Sequence, residues 1–449
     1  MKRYKYILGI ALSIVNCQWS IAQQSFTLEQ LTDSALNNNI SLRNAKRGVD
    51  AAEEQRKEAF TKYFPTVSGT GLWFHTNNGM AKMDMNLGEM MPQSLGMALA
   101  QSMPPEALAD LANPMSMTMM KKGVMAGVTA IQPVFAGGQI INGNKLAKVG
   151  EEASKLQMQL SENEVTKTIE TYFWQGVTLE EKMKTVLASQ ALLADICKDV
   201  TVAVEAGVAM RNDLLQVQLR QNEIESSKLK LENALNLVKM LIAQYCGLES
   251  TDFQFDYDTE VTSPLSQKQN HELALHNTAE YQLLEKQVQA AKLQQKMEVG
   301  KNLPTVGVGA GYNYHNMIDK GHSFGMVFAT VSIPISDWWG GSHAIKRKKI
   351  ETAKAQDQLN DNSELLIIRM QKAWNDVEES YQQLGIAERS VEQADENLRL
   401  NRDYYQAGIS TMSDLLEAQL LQQQSYDKYT DAYADYQNKL LAYKQAIGE

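Results

Sequence analysis

One stretch of this chain is written twice at a fixed spacing. Gly207-Val208-Ala209-Met210-Arg211-Asn212-Asp213-Leu214-Leu215 answers to Gly408-Ile409-Ser410-Thr411-Met412-Ser413-Asp414-Leu415-Leu416, every matched pair 201 positions apart. Pro133 and Pro334 keep that spacing, whereas Phe64-Pro65-Thr66-Val67 meets Leu303-Pro304-Thr305-Val306 at 239. The difference puts 38 extra residues into the first copy, between Pro65 and Pro133. A unit of about 200 residues is several times longer than a solenoid repeat. The chain therefore holds two copies of one module, side by side.

Each copy has the same order of elements. Apolar residues at three- and four-residue intervals predict a first helix over 25–63, stopped by Pro65. Strand-like runs follow at 66–74 and 123–131. A stretch with no proline over 139–206 predicts a helix of about 100 Å at 1.5 Å per residue. A turn at Gly207 leads into a returning helix over 213–244. The second copy gives helix 273–301, strands 305–315 and 323–335, a long helix 343–406, a turn at Gly408 and a helix 412–447. The domain reading is a signal peptide at 1–22, a first repeat at 23–247 with an insertion at about 76–122, a connecting segment at 248–270 and a second repeat at 271–449.

The long helices alone would suit a structural rod, burying narrow stripes as coiled coils do. The strands argue against that. Over 305–315, Val306, Val308, Ala310, Tyr312 and Tyr314 alternate with Gly307, Gly309, Gly311, Asn313 and His315. Apolar-out, small-or-polar-in alternation over about ten residues is the pattern of a transmembrane β-strand. Trp73, Phe74, Tyr312, Tyr314 and Phe324 lie toward strand ends, where an aromatic girdle sits. Four strands cannot close a barrel, and lipid does not tolerate open edges. Several chains must then share one barrel.

The N-terminus fits export. Lys2, Arg3 and Lys5 precede the apolar run 7–15, and Ser20-Ile21-Ala22 offers a cleavage site before Gln23. Lipidation at Cys17 is the alternative processing, with Asn16 a poor residue before it. Removing the three cations takes the net charge from −10 to about −13, which argues against nucleic acid. Cys197 and Cys246 flank the Gly207 turn at unequal distances, so two free thiols are expected.

This duplicated order resembles the TolC-like outer-membrane efflux proteins. The resemblance rests on Leu36-Asn37-Asn38-Asn39, on Gln132-Pro133-Val134-Phe135-Ala136-Gly137-Gly138, and on the two Gly-x5-Asp-Leu-Leu turns, and it spans the mature chain. It implies a mainly α, internally duplicated chain with a membrane β-barrel part. Three chains would share a twelve-stranded barrel above a tube of long helices. It also implies a channel in a Gram-negative outer membrane, reaching into the periplasm and opened by a periplasmic adaptor and an inner-membrane pump, proton-driven or ATP-driven.

The resemblance assigns site residues at the helical tips. Asp414 and Glu417 match acids that ring the aperture; the bland reading is two solvated acids at a helix start, where negative charge is favoured anyway. Tyr405 and Asp213 match a pair that holds the iris shut. The chain departs from the pattern at Ser410, where an arginine is usual, and Arg211 is a candidate substitute. Gly207, Val208, Gly408 and Ile409 would face the adaptor.

The insertion is rich in methionine: residues 80–125 hold 12 of the chain's 22. Met115, Met117, Met119 and Met120 suggest a soft-metal site for Cu(I), or else side chains that pack adaptably. The six histidines show no metal-ligand spacing, no catalytic constellation emerges, and no cofactor is expected. The rivals to a passive duct are the periplasmic adaptor, with one hairpin between compact β-domains, and a coiled-coil rod.

Overall fold

The computed structural model describes residues 24–85, 91–104, 106–107, 115–258, 267–317 and 320–449. The predicted signal peptide and Cys17 lie outside them, as does 259–266 of the connecting segment. Two compact units emerge, and they do not follow the two repeats. One combines the chain up to Ala52 with Gly150–Val288 and Ala355–Glu449; the other combines Glu53–Val149 with Gln289–Lys354.

The first unit is helical. Its chain enters as a short strand β1 (Gln24–Thr27) and helix α1 (Leu28–Asn38), followed by α2 (Ile40–Thr61). The sequence predicts one helix here, and the structure corrects it twice. Residues 24–27 are strand, paired in parallel with a distant segment, and Asn39 breaks the helix. Asn39 has extended backbone at ψ 132°, and its Oδ1 accepts from the Ser41 N–H at 2.8 Å. That side-chain bond offers the backbone an alternative to the helix ladder. Thr27 and Gln30 form a capping box at the start of α1.

The long helices are α4 (Gln139–Glu205) and α5 (Arg211–Cys246) in the first copy. Between them and β2 (Thr66–His75) lie β3 (Ala81–Met85), α3 (Gln93–Ser102), β4 (Met115–Met119) and β5 (Lys122–Ala136). Beyond them come β6 (Phe253–Asp256), α6 (His271–Leu275) and α7 (Ala279–Lys301). The second copy then supplies β7 (Thr305–His315), β8 (His322–Ser332), α8 (Asp337–Gln406) and α9 (Met412–Ile447).

Aromatic residues make the core of the helical unit. Strand β6 pairs with β1 in register Phe26↔Phe255. Phe173, Trp174, Phe253, Phe255 and Tyr433 meet edge to face at 5.3–5.5 Å, the arrangement their ring quadrupoles favour. Gly176 admits Phe255: a Cβ there would sit 2.2 Å from the ring.

The second unit holds a four-stranded antiparallel sheet in the order β2-β5-β7-β8. The predicted strands are all present, with β5 running on to Ala136. Directly opposed residues share a face. The register Val67↔Ala130, Ala130↔Ala310 and Ala310↔Val327 therefore gathers valine and alanine on one side. Ser68↔Thr129, Thr129↔Gly311 and Gly311↔Met326 lie on the other. The insertion is partly regular: β3 and β4 pair antiparallel, with α3 between them in the chain. Thr76 N–H donates to Lys121 O at 2.8 Å, one step past the last β2–β5 pair, His75↔Lys122.

Candidate functional site: the paired hairpin tips

Both long hairpins turn in the same way. Gly207 N–H donates to Val204 O at 3.0 Å and Val208 N–H to Ala203 O at 2.9 Å; Gly408 N–H donates to Tyr405 O at 3.0 Å and Ile409 N–H to Tyr404 O at 2.8 Å. These are matched atoms, 201 residues apart. The glycines sit at φ +75° and +71°, a left-handed conformation that glycine adopts without the Cβ penalty. The residue after each is a large apolar side chain in solvent, Val208 at 80% exposure and Ile409 at 74%.

The returning helices start alike as well. Asp414 and Asp213 each occupy the third helical position and reach back to the cap residue. Asp414 Oδ2 accepts from Thr411 N–H at 2.9 Å and from Thr411 Oγ1 at 2.7 Å, while Thr411 Oγ1 accepts from Asp414 N–H at 3.2 Å. Asp213 Oδ2 accepts from Met210 N–H at 3.1 Å. The Thr411 hydroxyl and N–H hold the Asp414 carboxyl below the usual carboxylate range. Both aspartates thus bond back to their own cap residues, a more specific role than the helix-start charge that the sequence offered for Asp414.

The other predicted residues fall close by. Tyr405 packs with Met412, Leu415 and Leu398 in a small apolar cluster near the turns. Burial raises its phenol, and the negative charge of Asp213 adds to that. The two groups are thus near neighbours within one chain, with no direct hydrogen bond between them among the described residues. Glu417 is exposed one turn further along α9. Arg211 is the first residue of α5, exposed and without an ion pair among the described residues.

Residues 271–449 match the family model OEP, Outer membrane efflux protein. The second repeat is an outer membrane efflux protein domain. No curated protein sequence matches the chain. Solved structures share its fold over 94% of its length. VceC from Vibrio cholerae is 14% identical, with 96% of that chain covered and a TM-score of 0.71. CusC, whose structures are described as showing changes that accompany folding and transmembrane channel formation, is 12% identical, with 92% covered and a TM-score of 0.78. The open state of MtrE from Neisseria gonorrhoeae is 14% identical, with 88% covered and a TM-score of 0.71. The fold predicted from the duplicated pattern, that of the TolC-like channels, is the fold this chain adopts.

The tips also contain a polar node that sequence reasoning missed. Arg220 on α5 donates from Nε to Gln419 Oε1 at 3.0 Å and from Nη2 to Gln423 Oε1 at 3.1 Å. Gln419, fully buried, donates from Nε2 to Ser189 Oγ on α4 at 3.0 Å. Nearer the turns, Ser413 Oγ donates to Gln216 Oε1 at 3.2 Å. The node joins the hairpin of the first copy to that of the second. Its one sequence signal was the glutamine repeated in both copies, Gln218 and Gln419.

Proposed function

We propose that the chain is the outer-membrane duct of an export assembly and works as a homotrimer. The observation that carries this reading is the sheet. Strands β2 and β8 end it with no further partner among the described residues. One face presents Val67, Trp73, Val128, Val308, Val327 and Val331 to the surroundings, Val327 at 87% exposure. An apolar face suits lipid, and lipid does not tolerate unpaired edges. Neighbouring copies therefore pair β8 with β2, and three copies give a closed barrel of twelve strands. The strands cross the outer membrane of a Gram-negative cell and the helical hairpins reach into the periplasm.

The helical tips are the gate. Tyr405 and Asp213 hold the closed iris, with Arg211 in place of the arginine missing at Ser410. Asp414 and Glu417, repeated by threefold symmetry, form rings of carboxylate that favour cations at the constriction. The exposed Val208 and Ile409 beside Gly207 and Gly408 give a periplasmic adaptor an apolar contact, and an inner-membrane pump supplies the energy. No enzymatic step is part of this reading.

Single-channel conductance of the mature protein in a planar bilayer tests it, wild type beside Tyr405→Phe/Asp213→Ala. A small cation-selective conductance that rises in the double variant is expected. A water-soluble oligomer that never enters lipid would overturn the duct, and an unchanged conductance in the double variant would overturn the gate.

A further inference from the structure

The outer row of the sheet brings soft-metal ligands together. Met125 on β5 stands directly opposite His315 on β7, and His315 directly opposite His322 on β8. Opposed residues share a face, here the one that also carries Gly307, Gly309, Gly311 and Asn313. Met326 on β8, opposite Gly311, lies on it too. Met125, His315, Met317 and Met326 line a cavity of about 530 Å³ with Phe324 and Tyr314.

Two details make this more than a gap between side chains. Nδ1 of His315 is enclosed and has no hydrogen-bond partner among the described residues. An enclosed ring nitrogen left unpaired has lost its water and gained nothing in return, and a bound cation would remove that penalty. Met317 is drawn in over the backbone of β5: a Cβ on Gly123 would come 3.1 Å from its Cγ. The unbranched methionine side chains can close onto an ion within such a space.

The chemistry of the lining selects the ion. Thioethers and a neutral imidazole are soft, uncharged donors, and the cavity lining contains no carboxylate. That set suits a monovalent d10 cation and offers little to Ca²⁺ or Mg²⁺, which take oxygen ligands. We propose that this cavity binds Cu(I) or Ag(I) through His315 Nδ1 and the thioethers of Met125 and Met317, with Met326, four residues further along the sheet, lining its far end. The methionine-rich insertion is rooted at the same end of the sheet, beyond His75 and Lys122. Its two strands pair Met83 with Met117 and Met85 with Met115.

The site is tested on the purified full-length oligomer in detergent. Ag(I) nitrate is titrated in chloride-free buffer by calorimetry, and Cu(I) is presented in competition with a chromophoric chelator. Saturable binding is expected, weakened at least tenfold in Met125→Leu/His315→Asn, with Zn(II) and Ca(II) failing to compete. X-ray absorption at the copper edge should show a mixed sulfur and nitrogen shell whose nitrogen contribution disappears in His315→Asn. Oligomer size on gel filtration and the single variant Met317→Leu guard against loss by misfolding. Absence of saturable Ag(I) binding overturns the site. So does binding that survives Met125→Leu/His315→Asn intact and is lost only when Met83, Met85, Met115 and Met117 are all replaced by leucine.

Discussion

Arg220 Nε lies 3.0 Å from Gln419 Oε1, an acceptor on a fully buried side chain of the other repeat. The guanidinium is itself largely covered and also bonds Gln423 and Glu223. This is a polar tie between the two hairpins, about three turns from their glycine turns.

Arg220→Ala leaves the Gln419 carbonyl buried and unpaired, so the helical unit should lose about 1–3 kcal/mol. Arg220→Ala/Gln419→Leu should recover part of it, because the stranded acceptor is gone. Amide hydrogen exchange over 185–225 and 410–425 reads the effect locally, and non-additivity in the double-mutant cycle is the expected signature. If the proposed gate opens by separating the hairpins, Arg220→Ala should also raise conductance.

The start of α9 is pH-dependent through Asp414. Its carboxyl is held low by Thr411 in the folded chain. The stabilisation is therefore complete above the unfolded carboxylate pKa and fades as pH falls through the depressed folded value. Protection of the amides over 411–416 should decline only in strongly acidic buffer. Asp414→Asn should abolish that pH dependence, and Thr411→Ala should reduce protection at every pH.

Val327 lies in the middle of β8, and Ser68 on β2 lies in the neighbouring cross-strand row on the opposite face of the sheet. Val327→Arg puts a cation on the face read as lipid-facing, at a cost of about 2–4 kcal/mol near the bilayer midplane. Ser68→Arg should be tolerated. Recovery of the heat-resistant oligomer from membranes distinguishes them, and equal behaviour of the two variants would deny the sidedness.

Cys246 ends α5 fully buried, its thiol pushed up to about 12 by desolvation. Cys197 is partly exposed, and both are free. Maleimide at pH 8 should label Cys197 in the folded protein and reach Cys246 only after denaturation. Mass spectrometry of the two peptides gives the ratio.

The sequence alone determined the element order, the duplication, the four barrel-type strands and the two tip turns. Each is a local or periodic property. The Gly-x5-Asp-Leu-Leu spacing encodes a left-handed turn and a capped helix start without reference to anything distant. Alternation over 305–315 similarly needs no partner to declare two faces.

Tertiary structure decided what depends on a partner far along the chain. Strand β1 is four residues long and exists because β6, more than 220 residues later, pairs with it; no short window holds that signal. Asn39 breaks a helix whose apolar spacing runs straight through it. Above all, Gln218 and Gln419 occupy equivalent places in the two repeats, yet one is exposed and the other fully buried. Similar local sequence specifies a similar helix. Burial is set by what each helix packs against, and only the folded chain supplies Ser189 and Arg220 to satisfy the buried amide.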